Sequence, residues 1–178
     1  MYFLRQLLFF IIIVYLLSIG GFCSADPQYC LNQKYAVQGN SLKPLINPNQ
    51  NIEIIRGYYD IHDVKRGDIV AYKHIAYKEP IIKIVKALPG DRFKLKKNSQ
   101  GRVSILINDN ICLNSENKSY SMNPNKIKML ALHEKQYDGL IPEDVYLVLG
   151  NAARGSFDSS EFGLIPKRDI IGKVNPVE

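Results

Sequence analysis

The chain has 178 residues, of which 46% are apolar and 22% charged, with a net charge of +6 at pH 7. This composition excludes a disordered chain, a collagen-like chain and a disulfide-dense scaffold, and the length suits one domain with a hydrophobic core. Because the basic residues are spread along the chain and there is no tryptophan, we predict no nucleic-acid partner, although the mild positive excess is compatible with anionic lipid headgroups.

The first predicted element is an apolar amino-terminal segment. Residues 6–25 carry no charge, and at about 1.5 Å per residue they match a bilayer core of about 30 Å. The segment is either an uncleaved membrane anchor or a cleavable secretory signal, with Arg5 ahead of it and Cys23-Ser24-Ala25 as the cleavage site. We favour the anchor because the apolar run is long. Both interpretations put residues 26–178 outside the cytoplasm as a second unit.

After the apolar segment, the sequence predicts short strands separated by turns. Runs rich in β-branched and aromatic residues recur, and turn residues such as Pro89-Gly90-Asp91 divide them. The predicted strands cover residues 34–38, 52–58, 68–73, 81–87, 93–97, 102–108 and 145–149. A short helix is predicted near residues 126–133. Many short strands with frequent turns indicate a mainly β domain, a sandwich or a barrel.

The cysteines and histidines do not predict a metal or cofactor site. Cys23, Cys30 and Cys112 are an odd number, and in an oxidising exterior a Cys30–Cys112 bridge and three free thiols fit the sequence equally well. There is no C-x-x-C pair, no glycine-rich phosphate loop and no G-x-S-x-G string in the sequence. We therefore expect no metal, no cofactor and no conventional Ser/His/Asp hydrolase.

Four short strings carry the candidate chemistry. They are residues 37–44 (VQGNSLKP), 66–70 (RGDIV), 81–91 (IIKIVKALPGD) and 150–163 (GNAARGSFDSSEFG). Lys83 is surrounded by β-branched residues of a predicted strand, where desolvation would favour a neutral amine that can act as a general base. Ser41, which follows a glycine turn, is the hydroxyl that such a base could activate. From the residues alone, a solvated edge lysine and a plain turn serine are the commoner interpretations.

In this order, the four strings resemble the type I signal peptidase family of membrane-anchored Ser/Lys proteases. The resemblance implies coiled antiparallel β-sheets with one amino-terminal transmembrane helix. It implies a single-pass protein of the bacterial plasma membrane whose catalytic domain lies on the extracytoplasmic side. The implied partners are the lipid bilayer and preprotein signal sequences with small residues before the cut, and no cofactor is implied.

The resemblance also implies roles for individual residues. Ser41 matches the nucleophile and Lys83 the general base, while Lys86 is a rival lysine that we interpret as a surface residue. Ser156 matches a hydroxyl that orients the lysine amine, and Asp158 matches a structural carboxylate in the same loop.

The oxyanion site is the least complete part of the match. The turn Gly39-Asn40 precedes the nucleophile, and the Ser41 N–H is the first expected donor. Some family members supply a second donor from a serine two residues before the nucleophile. Gly39 holds that position here, so the second donor is unassigned.

Several residues depart from the pattern of the family. Leu42 replaces the usual methionine, and Ile84 stands where many members have arginine. The last string begins Gly150-Asn151-Ala152 instead of Gly-Asp-Asn. It also lacks the arginine expected to pair with Asp158, for which Arg154 is the candidate substitute.

The sequence leaves more than one function open. The first is a membrane-bound serine endopeptidase that removes signal peptides from exported preproteins through an acyl-enzyme. The second is a dedicated maturation peptidase for a pilin or conjugation substrate, which the short chain and the altered last string favour. The third is a catalytically inactive, membrane-tethered binding module of the same fold.

Overall fold

The computed structural model describes residues 32–177, so the predicted anchor, residues 1–25, lies outside the described residues. Within residues 32–177 no helix is long and apolar enough to cross a bilayer. The strands are β1 (Asn32–Ala36), β2 (Asn51–Arg56), β3 (Ile69–Tyr72), β4 (Ile81–Ala87), β5 (Phe93–Lys97), β6 (Val103–Ile107), β7 (Asn110–Ile111), β8 (Val145–Leu149), β9 (Ile165–Pro166) and β10 (Ile170–Pro176). The helices are α1 (Tyr58–Ile61), α2 (Lys128–Tyr137) and α3 (Ser159–Phe162), with 3₁₀ turns at Pro124–Lys126 and Lys167–Asp169.

The prediction of a mainly β protein is confirmed. The described part of the chain forms a seven-stranded sheet, in the order β1-β2-β10-β3-β4-β8-β9, and a three-stranded sheet, β5-β6-β7. The paired strands of both sheets run antiparallel. Each of the predicted strands is present, with bounds that differ by two residues or fewer. The predicted helix near residues 126–133 is α2, which begins at Lys128 and continues to Tyr137.

The burial of each strand reflects its place in the sheets. On β2, Ile52 and Ile54 are buried while Glu53 between them is half-buried, which is the alternation of a sheet with one face on the core. On β8, the run from Tyr146 to Leu149 is continuously buried. Apolar side chains therefore cover both faces of the sheet around residues 83–85 of β4 and around β8, where a polar group is shielded from water.

The sequence analysis did not predict β10, although this strand lies in the interior of the larger sheet, between β2 and β3. β10 pairs with β2 on one side and β3 on the other, with a register shift between Ile170 and Gly172. Its sequence, IIGKVNP, contains a glycine, a lysine and a proline, which are poor local signals for a central strand. A Cβ at Gly172 would overlap the backbone carbonyl of Ile55, so only glycine allows β2 and β10 to approach this closely.

Cys112 is a buried free thiol in the structure. Burial raises the pKa of this thiol to about 11, so the group is inert as a nucleophile at neutral pH. Cys23 and Cys30 lie outside the described residues, so the two alternatives from the sequence, a Cys30–Cys112 bridge and three free thiols, both stay predictions.

We expect Gly172→Ala to destabilise the protein by about 2 to 3 kcal/mol, because the new methyl group meets backbone rather than a movable side chain. The measurement is the free energy of unfolding from denaturant titration. Gly90→Ala is the control, since a Cβ there meets nothing within 4 Å and only its φ of +84° is unfavourable, a cost of about 1 kcal/mol. Equal losses in the two variants would contradict the close approach of β2 and β10.

Candidate active site

The central feature of the site is a contact between an amine and a hydroxyl from distant parts of the chain. The Lys83 Nζ donates hydrogen bonds to the Ser41 Oγ at 3.1 Å and to the Ile82 carbonyl at 2.9 Å. Ser41 and Lys83 are 42 residues apart, and the fold brings them together. A hydroxyl and an amine at this distance can exchange a proton.

Lys83 lies on β4, between β3 and β8, where its Cα faces Val70 of β3. Only 5% of the residue is exposed. Burial lowers the pKa of the amine from 10.5 to about 8, while the negative charge of Asp158 acts in the opposite direction and raises it. With this pKa, about a tenth of the Lys83 amines are neutral at pH 7, whereas a solvated lysine with its pKa of 10.5 is almost entirely charged at that pH.

Ser41 lies in a tight turn between β1 and β2. Gly39 has a φ of +90°, a left-handed conformation that glycine adopts without strain. The Lys43 N–H donates to the Asn40 carbonyl and closes the turn. Leu42, which is 2% exposed, packs in the same hydrophobic cluster as Ile84 of β4. Leu42, the residue next to the candidate nucleophile, therefore anchors the turn in the hydrophobic core.

The Asp158 carboxylate is fully buried and accepts three hydrogen bonds. The donors are the Gly150 N–H at 2.9 Å, the Ser156 hydroxyl at 2.5 Å and the Ser160 N–H at 3.0 Å. These donors are neutral, whereas the sequence pointed to Arg154, which is exposed. The Ser156 hydroxyl donates its hydrogen bond to Asp158. The predicted role of Ser156 in orienting Lys83 therefore stays a prediction.

Asn151 is the residue of the site that the sequence interpretation missed. It is 1% exposed. Its backbone N–H donates to the Ser41 carbonyl at 2.6 Å, and its side-chain Nδ2 donates to the Lys43 carbonyl at 2.6 Å and to the Ser115 hydroxyl at 2.7 Å. Asn151 thus holds the turn on both sides of Leu42. The available signal was its position two residues after the end of a buried strand, β8.

Gly150 allows the last string to touch the Ser41 turn. A Cβ at this position would lie 2.9 Å from the Ser41 carbonyl and would overlap the Ser156 hydroxyl. The Gly150 carbonyl accepts a hydrogen bond from the Tyr120 hydroxyl at 2.7 Å. Glycine is therefore required here by the close contact of three segments.

Ser41 and Lys83 lie in a cleft of about 760 Å³. One wall is β1 with the turn that follows it, and the other is the segment that leads into β4. The cleft is lined by Lys34, Tyr35, Ala36, Val37, Gln38, Gly39, Ser41, Leu42, Ile52, Ile54, Tyr77, Glu79, Pro80, Ile81, Ile82, Lys83 and Phe157. Most of these side chains are apolar, so the cleft favours apolar over charged ligands.

Lys86 lies in a different environment from Lys83. Its Nζ donates to the Leu113 carbonyl at 2.9 Å and is 5.6 Å from the centre of the Tyr120 ring. Lys86 is half-buried rather than fully on the surface, and burial lowers the pKa of its amine as well. It does not line the cleft around Ser41, so a lowered pKa alone does not identify the general base.

No group of three or more His, Cys, Asp or Glu side chains within residues 32–177 is placed to hold a metal ion. The chemistry available at the site is that of a hydroxyl, an amine and a buried carboxylate.

The family model and the relatives named here are described as signal peptidases. The family model described as "Signal peptidase, peptidase S26" matches residues 4–177. Signal peptidase I of Bacillus caldolyticus is 30% identical over 151 residues, which cover 79% of this chain and 76% of that protein. Signal peptidase IB of Staphylococcus aureus (strain COL) is 27% identical over 146 residues, with coverage of 79% and 74%.

A solved structure of a signal peptidase I from Enterococcus faecalis V583 is 21% identical and covers 64% of this chain and 97% of that chain, with a TM-score of 0.44.

We expect Asn151→Asp to destabilise the protein by about 2 kcal/mol, because a carboxylate cannot donate to the Lys43 carbonyl and would lie buried against it. The free energy of unfolding at pH 7 is the measurement. Asn125→Asp is the control, since Asn125 is exposed and its substitution should change stability by about 0.5 kcal/mol or less. A full-stability Asn151→Asp protein would contradict the clamp on the Ser41 turn.

Proposed function

The chain belongs to the signal peptidase family, peptidase S26, and is a serine peptidase; from this premise we propose that it cleaves signal peptides with Ser41 and Lys83 as its catalytic dyad. The observation that carries the assignment is the 3.1 Å hydrogen bond between the Lys83 amine and the Ser41 hydroxyl. The burial of that amine supports its role as a base. The same contact favours an active enzyme over an inactive binding module.

The proposed reaction proceeds through an acyl-enzyme. The Ser41 Oγ attacks the carbonyl carbon of the scissile bond while neutral Lys83 takes the hydroxyl proton. The tetrahedral intermediate collapses when the Lys83 ammonium gives this proton to the leaving amine, which leaves as the new amino terminus. A water molecule then attacks the Ser41 ester and loses its proton to Lys83. The Lys83 ammonium gives this proton to the Ser41 Oγ as the ester bond breaks, and the signal peptide leaves as a carboxylic acid.

The oxyanion of the tetrahedral intermediate would be held by the Ser41 backbone N–H. The left-handed Gly39 and the hydrogen bond from the Lys43 N–H to the Asn40 carbonyl support this proposal, because they fix the Asn40–Ser41 peptide unit that carries the donor. Removal of one such donor typically costs about 3 kcal/mol of transition-state stabilisation. Asn151 would act through the same turn, as a positioning residue.

The substrate would bind as an extended strand in the cleft. β1 is at the edge of the larger sheet, and an edge strand can pair with an added peptide strand. Successive side chains of a strand point to opposite faces, so the first and third residues before the cut would face the same wall. The resemblance to the family implies small residues at these two positions.

We propose residues 1–25 as the membrane anchor of the enzyme and residues 26–178 as its extracytoplasmic domain. The uncharged length of residues 6–25 supports this proposal. The expected partners are the bilayer of a bacterial plasma membrane and the preproteins that are exported across it.

Single substitutions test the dyad. Purified full-length protein in detergent should cleave a preprotein after a small residue, and Ser41→Ala or Lys83→Ala should lower the rate by a factor of about 10² to 10⁴. Lys86→Ala is the matched control and should retain the wild-type rate, since Lys86 lies outside the cleft. Normal cleavage by Lys83→Ala would refute the assignment of the base. A wild type that cuts only a pilin precursor would indicate the dedicated maturation peptidase.

The rate should depend on pH through Lys83. Because the base must be neutral and burial lowers its pKa to about 8, kcat/KM should rise about tenfold per pH unit below pH 8 and level off above it. Asp158→Asn removes the charge that raises this pKa, so the midpoint should move to lower pH. Lys86→Ala should leave the midpoint unchanged. A profile that is flat between pH 6 and pH 9 would contradict a lysine base.

A further inference from the structure

Two partly exposed aromatic rings, which we call the aromatic wall, lie in the cleft together with Ser41 and Lys83. The rings of Tyr77 and Phe157 are 5.2 Å apart in a T-shaped arrangement, and both residues line the cleft. Tyr77 is 50% exposed and Phe157 36% exposed. A large apolar surface in the cleft is therefore in contact with water, where it is available to a ligand.

The aromatic wall is supported from behind by other rings. His74 lies 5.4 Å from Phe157 and 4.9 Å from Phe162, and Phe157 and Phe162 are 5.2 Å apart. Phe162 in turn lies 6.0 Å from Tyr72, a fully buried residue of β3. Rings that are packed in this way offer contact area at a low cost in conformational entropy, so the wall is preorganised.

Tyr77 forms the end of the aromatic wall that is farther from the dyad along the chain, whereas Phe157 directly follows Ser156, which lies beside Gly150 and the Ser41 turn. β1 leads through Val37 into the turn that holds Ser41, and the segment that begins at Tyr77 leads into β4 and Lys83. Tyr77 is thus six residues before Lys83. β4 begins only at Ile81, and residues 78–79 form a bend, so the path from Tyr77 to Lys83 is shorter than six extended residues of about 3.3 Å each. A peptide strand lying along this segment would therefore reach Tyr77 no more than about six residues from the residue at the dyad.

We propose that the aromatic wall is a subsite for apolar side chains located four to six residues upstream of the cut. The proposal rests on the function proposed above. Secretory signals carry an apolar segment of about 7–15 residues ahead of a small-residue cleavage site, and an extended substrate brings the end of that segment to the two rings. An aliphatic side chain packed there loses its contact with water, whereas a polar one gains no partner on the ring faces.

The charges around the wall are consistent with an apolar occupant. Lys34 and Glu79 line the same cleft and are exposed, so they can stay solvated when the rings are covered. Their charges are opposite in sign, which gives the rim no net preference for a charged peptide. Discrimination between substrates at the aromatic wall would therefore come from apolar contact. This contact would change the affinity for the substrate more than the rate of the chemical step at Ser41.

Binding to an inert enzyme tests the subsite separately from catalysis. Full-length Ser41→Ala protein in detergent would be titrated with two fluorescent peptides that share small residues before the cut and carry either three leucines or three serines at positions four to six upstream. We expect the leucine peptide to bind about tenfold more tightly, as partial burial of apolar side chains predicts. Adding Tyr77→Ala should reduce this ratio to near one, and Tyr77→Phe should retain it because the ring is kept.

Tyr137→Ala is the matched control, because Tyr137 is 39% exposed on α2 and does not line the cleft. It should retain the preference for leucine. An unchanged preference in Tyr77→Ala would overturn the proposal, as would a preference that follows leucines placed downstream of the cut. Tyr77→Ala that weakens binding to phosphatidylglycerol vesicles but keeps the peptide preference would also overturn it, in favour of a lipid-facing wall.

The parallel cleavage assay keeps the two proposals apart. If protein with Ser41 intact cuts neither peptide while the Ser41→Ala protein still prefers leucine through Tyr77, the proposed function fails and the subsite stands. If both peptides are cut with equal kcat/KM and bound with equal affinity, the subsite fails and the proposed function stands.

Discussion

The burial of the Lys83 amine is the constraint on which the rest of the structure depends. An ammonium group in a sheet covered on both faces is unstable unless it loses its proton or gains partners. The Ser41 hydroxyl and the Ile82 carbonyl are those partners, and burial brings the pKa of the amine to about 8. The desolvation that disfavours the charged amine also makes it a base near neutral pH. The stability of the buried amine and the proposed chemistry therefore depend on the same arrangement of groups.

The supporting groups around this amine are mainly neutral. Asp158 is held by two backbone N–H groups and the Ser156 hydroxyl, and Ile84, where many family members carry arginine, is 4% exposed and packed with Leu42. Asn151 holds the Ser41 turn through amide hydrogen bonds. The departures from the family pattern thus form a consistent set in which hydrogen bonds and apolar packing hold the site without an arginine at these positions.

The accuracy of prediction from sequence depended on how local each signal was. The strands that include Ile52–Ile54 and residues 81–87 were predictable because runs of β-branched residues and turn residues are local features. β10 was missed because its stability comes from pairing with two neighbours, which overrides the poor propensity of Gly172. Asn151 was interpreted as a departure from a motif, since its hydrogen-bond partners are more than 30 residues away in the chain.

The sequence by itself determined that this is a mainly β chain and that it resembles a Ser/Lys peptidase, because short strands, glycine turns and ordered motifs are encoded in neighbouring residues. Only the tertiary structure decided which lysine touches Ser41. Lys83 and Lys86 both carry amines whose pKa is lowered by burial, and only the pairing of β4 with its neighbours directs Lys83 into the cleft. The physical reason is that desolvation and proton transfer depend on distances between atoms that are remote in the chain, and these distances exist only once the strands are paired.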